Sequence, residues 1–384
     1  MKRFVPLLLI AFFLPLNAHA VQPANYENFL FESDILGEIR EVVIRYPDDY
    51  QVGDNTPVVY LTDAEGNFRL VESYLDFSHG TWPRLPEMVV VGLINTDRNR
   101  DFVPRADPNF PNSGGGDQFV QFFKTELIPF IQARTSQNAP RILFGHSFGG
   151  VNALNILFTE PDLFNAYIAV GTSTWVSNDV LFERAIESFQ DGKSLNRWLY
   201  MSVAEADGGA TVPKGKEFAK LLEDFAPSEL NWTFEIIPKT DHFSAVPPSL
   251  TQAFDLLFPA WQQGESLRTA LEKEDMTVED WFANEEERLD WRFYPQAWDL
   301  MITAFSYGVS DDYETALKIL DELIIYHPQL PELYVTYGDI LTRWDKVEEA
   351  RTAYNQAHEI ALSLSVKPPR LLPIERRLSI SQKD

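Results

Sequence analysis

Cysteine is absent from the 384-residue chain. Its absence excludes disulfides, thiolate nucleophiles, iron–sulfur clusters and cysteine-bound zinc, so any catalytic nucleophile must be an oxygen or a nitrogen. Histidine is scarce too, at six, which shortens the search for a general base. Positive charge is outnumbered: 32 Lys+Arg face 57 Asp+Glu, and the formal net charge is −25. Such a surface repels phosphate backbones, so nucleic acid is not an expected partner. After the first twenty residues no apolar run approaches the roughly 20 residues needed to span a bilayer, so no membrane span is expected in the mature chain. What remains is ordinary globular composition, 45% hydrophobic and 23% charged, on a chain long enough for two or three domains.

The N-terminus has the three parts of a secretory leader. Lys2 and Arg3 supply the positive start, Phe4 to Leu16 the apolar stretch, and Ala18-His19-Ala20 a small-x-small cleavage site. The expectation is residues 1–20 as signal peptide, cleavage after Ala20, and a periplasmic or secreted mature protein.

Two architectures follow in sequence. Over 21–262, short apolar runs alternate with helical stretches. Val58 to Leu61, Met88 to Ile94, Arg141 to Phe144, Ala166 to Val170, Leu199 to Val203 and Phe234 to Ile237 are strand-like. Glu41 to Tyr46 alternates in the manner of an edge strand. Continuous apolar strands between helices predict an α/β fold with a mostly parallel sheet covered on both faces. Over 263–365 the chain is helical and acidic. Leu300, Ala304, Ala316, Leu320 and Leu323 recur 34 residues later as Tyr334, Gly338, Ala350, Tyr354 and Ala357. That period, with small residues where paired helices touch, is the tetratricopeptide pattern and predicts two repeats over about 297–364. Two repeats are few for a free-standing array, and Trp298 and Trp344 have no evident cover within them. Packing on the first domain, a protein partner or self-association is therefore expected. Residues 366–384 form a tail.

The chemistry is concentrated at Ser147. The apolar run Arg141 to Phe144 enters Gly145-His146-Ser147-Phe148-Gly149, and a helical stretch follows. This is G-x-S-x-G in the setting of strand, sharp turn and helix, which lifts a serine hydroxyl to the sheet edge. A serine nucleophile needs a base. His19 leaves with the leader, His146 adjoins the serine and should diverge from it, His327 and His358 lie in the repeats, and His79 precedes the serine. His242, in a loop after a late strand, remains. The acid belongs after the strand Leu199 to Val203, where Glu205 and Asp207 both stand. Asp207 is favoured because Gly208-Gly209 would turn it back toward the site. The oxyanion would be held by the backbone N–H of Phe148 and that of Glu65. Around the strand before them, Arg98, Arg100, Asp101 and Arg105 form a basic cluster. It is either a loop brace, the favoured reading, or a site for an anionic or phenolate group of the substrate, with Arg98 as the contact.

These segments resemble the esterase family of α/β-hydrolases that includes enterochelin-type siderophore esterases, feruloyl esterases, S-formylglutathione hydrolase and the mycobacterial mycolyltransferases. The likeness spans about Glu32 to Phe258. It rests on Val59-Tyr60-Leu61-Thr62-Asp63-Ala64-Glu65, Val90-Val91-Gly92 with Arg98-Asn99-Arg100-Asp101, Gly145 to Gly150, Thr172-Ser173-Thr174-Trp175, and Asp241-His242-Phe243-Ser244. The resemblance implies an α/β-hydrolase fold, the same roles for Ser147 and His242, a second oxyanion donor after Asp63-Ala64, and neither metal nor organic cofactor. Trp175 is the other candidate substrate contact. Two departures stand out. Ala64 replaces the usual Gly, and Ala204 stands where relatives often carry Gly, which leaves Asp207 and Glu205 both open. The expected function is an exported serine hydrolase of small-molecule carboxylic esters, siderophore lactones or short or aryl acyl esters among them. Acyl transfer from the same intermediate, or a non-catalytic role built on the repeats, are the alternatives.

Overall fold

The computed structural model describes residues 25–258, apart from breaks at 48–49, 51, 53–55, 80–84 and 193, then 297–363, 373–378 and isolated positions between 276 and 286. The leader and the boundary near 263 lie outside the described residues, as do most positions between Leu267 and Leu289.

One eight-stranded sheet organises the first domain, in the order β1-β2-β4-β3-β5-β6-β7-β8. Its strands are β1 (Asn25–Ser33), β2 (Glu38–Tyr46), β3 (Val58–Leu61), β4 (Val89–Leu93), β5 (Arg141–His146), β6 (Ala166–Val170), β7 (Trp198–Ala204) and β8 (Asn231–Ile237). β1 pairs antiparallel with β2, and β2 with β4; every later pairing is parallel. All residues of β3, β4, β6 and β7 are buried, because helices cover both faces. On one side α1 (Ala64–His79) and α8 (Val246–Leu257) pack on Val59, Leu61, Ile142, Phe144 and Ile168. Against Val58, Tyr60, Leu143 and Tyr167 on the other side lie α3 (Gly116–Phe122), α5 (Phe148–Thr159) and α6 (Val176–Gln190). Alternate strand residues thus serve opposite layers, the period-2 geometry of a pleated strand. The short α2 (Arg98–Phe102) lies between β4 and α3. Beyond α3 the chain passes through a π-helical turn at Phe123–Leu127 into α4 (Ile128–Gln132), and α7 (Thr211–Phe225) precedes β8.

One expectation needs correction. β1, exposed along most of its length but with Phe29 and Phe31 packed on Phe122 and Phe130, was not among the strands read from the sequence. It takes the edge position, so β2 is internal. The alternation in β2 reflects burial of Arg40, Val42 and Ile44 on one face, not an edge.

The C-terminal helices are α9 (Ala297–Val309), α10 (Tyr313–Tyr326), α11 (Pro331–Arg343) and α12 (Val347–Ser363). Their starts repeat at the 34-residue spacing, and the matched Leu, Ala and Tyr positions are all buried. Gly338 shows why a small residue is needed: a Cβ there would meet the Tyr354 ring at 2.4 Å. Trp344 does have cover, stacking on Tyr313 at 5.5 Å with the Lys346 ammonium 3.5 Å from its ring centroid. Within the expected tail, residues 373–378 are helical. Arg377 there makes paired 2.6 Å bonds to Asp339 of α11, and Ile374 is buried. A single buried cluster includes both the α1/α8 face of the sheet and the repeat helices.

Candidate active site

The parallel strands deliver their loops to one edge, where ligands of open α/β sheets are held. β5 ends at His146, and Ser147 follows with φ 61° and ψ −115°. A non-glycine residue held there is strained by roughly 1–3 kcal/mol. The turn is pinned by Ser147 N–H donating to Val170 O at 2.8 Å. Glycine is obligatory at 145, because a Cβ would lie 2.0 Å from the Gly149 carbonyl oxygen. At Gly149 a Cβ would meet Thr62 Oγ1 at 2.4 Å, so the loop after β3 lies directly against the start of α5.

His242 lies after β8. Its Nδ1 is 3.0 and 3.1 Å from the two carboxylate oxygens of Asp207, a side chain only 4% exposed. The His242 ring also borders Gly171, immediately after the Val170 carbonyl that holds Ser147. Glu205 is engaged elsewhere: its carboxylate accepts from Lys239 N–H at 2.7 Å and secures the turn after β8.

Phe148 is the first residue of α5, and Glu65 is in the first turn of α1. Both N–H groups therefore belong to helix starts, whose first donors lack intrahelical partners. The Glu65 carboxylate accepts from Asn95 Nδ2 at 2.6 Å. Arg98 grips Asp63 through two bonds of 2.6 and 2.8 Å, and its Nη2 also donates to the His146 carbonyl at 3.0 Å. The guanidinium thus ties the loop after β3 to the serine turn. Arg100 is held by Glu38 and Asp101, and Arg105 pairs with Glu183.

Beside the serine stands an aromatic wall. Phe110 meets Phe148 edge-on at 4.8 Å and Trp175 at 5.9 Å. Trp175 donates to Thr211 Oγ1 at 3.3 Å. Next in chain is a turn in which Ser177, Asn178 and Asp179 all have left-handed φ, of 53°, 55° and 61°. Ser177 anchors it by donating from N–H to Asp107 at 2.8 Å and from Oγ to the Arg105 carbonyl at 2.6 Å. Lys214 donates to Asp179 at 2.6 Å.

Sequence reasoning missed His146. Its ring is buried, lies 4.7 Å from the His242 ring, and places Nε2 2.9 Å from the His242 carbonyl oxygen. Burial, followed by the neighbouring His242, lowers its pKa to about 4. A bond to a backbone carbonyl needs no complementary side chain, so nothing in the sequence marks it. Among the described residues no group of His, Asp and Glu is placed to hold a metal, and no helix is long and apolar enough to cross a membrane.

The model of the Putative esterase family matches residues 33–205. A siderophore triacetylfusarinine C esterase of Aspergillus fumigatus is 29% identical over 45% of this chain and 63% of its own length. The ferri-bacillibactin esterase BesA of Bacillus subtilis is 31% identical over 29% of this chain and 46% of its own. The chain thus spans only about half to under two thirds of these curated relatives. The crystal structure of an IroE-like serine hydrolase from Shewanella oneidensis superposes with a TM-score of 0.64 at 28% identity, covering 77% of this chain and 97% of that one. The fold is that of the α/β-hydrolases, and over residues 33–205 the first domain is similar to the Putative esterase family.

Proposed function

We propose that this protein is a serine hydrolase of carboxylic esters, with siderophore esters as its substrate class. The observation that carries the reading is His242 Nδ1 within 3.0 and 3.1 Å of a buried Asp207 carboxylate, at the sheet edge where Ser147 is held in its strained turn. The names of the two siderophore esterases support the substrate class.

In this mechanism Asp207 accepts from Nδ1–H, which leaves His242 Nε2 unprotonated to take the Ser147 proton. Ser147 Oγ bonds to the ester carbonyl carbon, and the oxyanion is held by the Phe148 and Glu65 N–H groups. As the tetrahedral centre collapses, the ester C–O bond breaks and His242 returns its proton to the leaving alcohol. Water, deprotonated by His242, then releases the acid. The leader places this chemistry outside the cytoplasm, and the helical hairpins are tetratricopeptide repeats that pack as part of the enzyme.

Turnover of p-nitrophenyl esters, covalent labelling by a fluorophosphonate, and mass-spectrometric analysis of ferric siderophore esters test the reading together. Labelling that persists in Ser147→Ala would remove Ser147 as nucleophile. Turnover of simple esters with no siderophore cleavage would remove the substrate class alone. Ester products appearing only when alcohols are added would favour acyl transfer.

A further inference from the structure

We propose that His146 is a positioning residue that fixes the base loop, the serine turn and the oxyanion loop in one register. The inference rests on the reading of Ser147 and His242 as nucleophile and base.

Three contacts converge on this one residue. Its ring nitrogen Nε2 lies 2.9 Å from the His242 carbonyl oxygen. A carbonyl can only accept, so Nε2 carries the proton and His146 is the donor. Its own carbonyl accepts from Arg98 Nη2 at 3.0 Å, and Arg98 is doubly bonded to Asp63 at the end of β3. Through its peptide bond it is joined to Ser147. The β3, β5 and β8 loops, which carry one oxyanion donor, the nucleophile and the base, therefore meet at His146.

Packing reinforces the bond. Gly171 leaves room for both imidazoles: a Cβ there would stand 3.3 Å from His146 Nε2 and 3.3 Å from His242 Cε1. Phe243 closes against both rings, at 5.8 Å from His146 and 5.3 Å from His242. The base is thus held at two points, its ring by Asp207 and its backbone by His146. Burial keeps the His146 ring neutral, so it holds the loop without opposing the positive charge that forms on His242.

A misplacement of about 1 Å in a reacting group costs up to a hundredfold in rate. His146→Phe keeps a ring of similar size and removes the donor. It should lower kcat roughly tenfold to a hundredfold on p-nitrophenyl butyrate, leave KM within about twofold, and slow fluorophosphonate labelling in parallel. His146→Gln, which restores a donor, should recover most of the loss. Wild-type kcat in folded His146→Phe, a loss confined to KM, or no recovery with Gln would each overturn the proposal. Should His146→Phe fail to fold, nitrogen-15 NMR of the intact protein gives an independent readout. The proposal requires a neutral Nε2–H tautomer for His146 between pH 6 and 8, and an Nδ1–H tautomer would end it. Activity surviving in Ser147→Ala would instead refute the underlying mechanism, a distinguishable result.

Discussion

Removing the charge of Asp207 while keeping its shape is the sharpest perturbation of the proposed mechanism. The carboxylate is 4% exposed and 3.0 Å from Nδ1, so solvent screens little of its field. With the charges centred about 4 Å apart and an effective dielectric near 20, attraction to protonated His242 is on the order of 4 kcal/mol. At about 1.4 kcal/mol per decade, Asp207→Asn should lower kcat by roughly three orders of magnitude. The amide can also present its N–H to Nδ1 and stabilise the wrong tautomer. KM should barely move, because the charge matters after the proton has transferred. Glu205→Gln is the control, two positions away in the same loop: its carboxylate accepts from Lys239 N–H, and kcat should stay within a few-fold. Stopped-flow turnover of p-nitrophenyl butyrate at pH 8, with urea unfolding to establish folding, reads both. A kcat for Asp207→Asn within tenfold of wild type, or a crippled Glu205→Gln, would refute the assignment.

The strained serine makes a stability prediction. Relief of its strained backbone is worth roughly 1–3 kcal/mol and glycine's extra freedom when unfolded costs about 0.5–1 kcal/mol, so inactive Ser147→Gly should be at least as stable as inactive Ser147→Ala; a deficit above about 1 kcal/mol in urea would contradict this. His146 predicts acid sensitivity. Its folded pKa lies near 4 against 6.5 unfolded, with burial the main cause, the His242 charge and Arg98 adding to it, and the bond to the His242 carbonyl and Asp63 opposing; the unfolded chain therefore gains protons first. Stability present above pH 6.5 should fall by up to about 3 kcal/mol as pH drops through 4. His146→Phe should lose correspondingly less between pH 7 and pH 4 in urea titrations, and equal losses would exclude the group as a cause. Ending the chain at Phe258 removes the helical side of a shared buried cluster. Lower solubility and altered preference between small and bulky esters are expected, and neither changing would mark the repeats as an independent module.

Much of the proposed site was legible because its chemistry would impose local sequence. The serine turn needs glycines at 145 and 149 on steric grounds, with an apolar strand before it and a helix after. Scarcity narrowed the candidate base to His242, since the other histidines were set aside by position. The choice between Asp207 and Glu205 was not readable with certainty, because both stand in one loop and the decision lies in backbone direction. The structure turns Asp207 inward just before Gly209, itself left-handed at φ 63°. Arg98 was visible as charge and a brace was the favoured reading, but its partner Asp63 is distant in sequence, so the residues alone left the substrate contact open as the alternative. β1 escaped notice because only its last residues alternate inward, at Phe29, Phe31 and Ser33. The repeats were readable for the opposite reason: close helix approach demands small residues at fixed spacing.

The left-handed turn at Ser177–Asp179 bears on how this protein would drift under selection. Each non-glycine residue there costs roughly 1–2 kcal/mol, held in place by bonds to Asp107, Arg105 and Lys214. Glycine at any of the three positions would relieve that cost and loosen the support of Trp175 in one step. A library selected for a new acyl preference should therefore collect glycines at 177–179 before it touches the proposed triad. Breadth of substrate range and definition of the aromatic wall would then trade against each other at a place that never meets the reacting atoms.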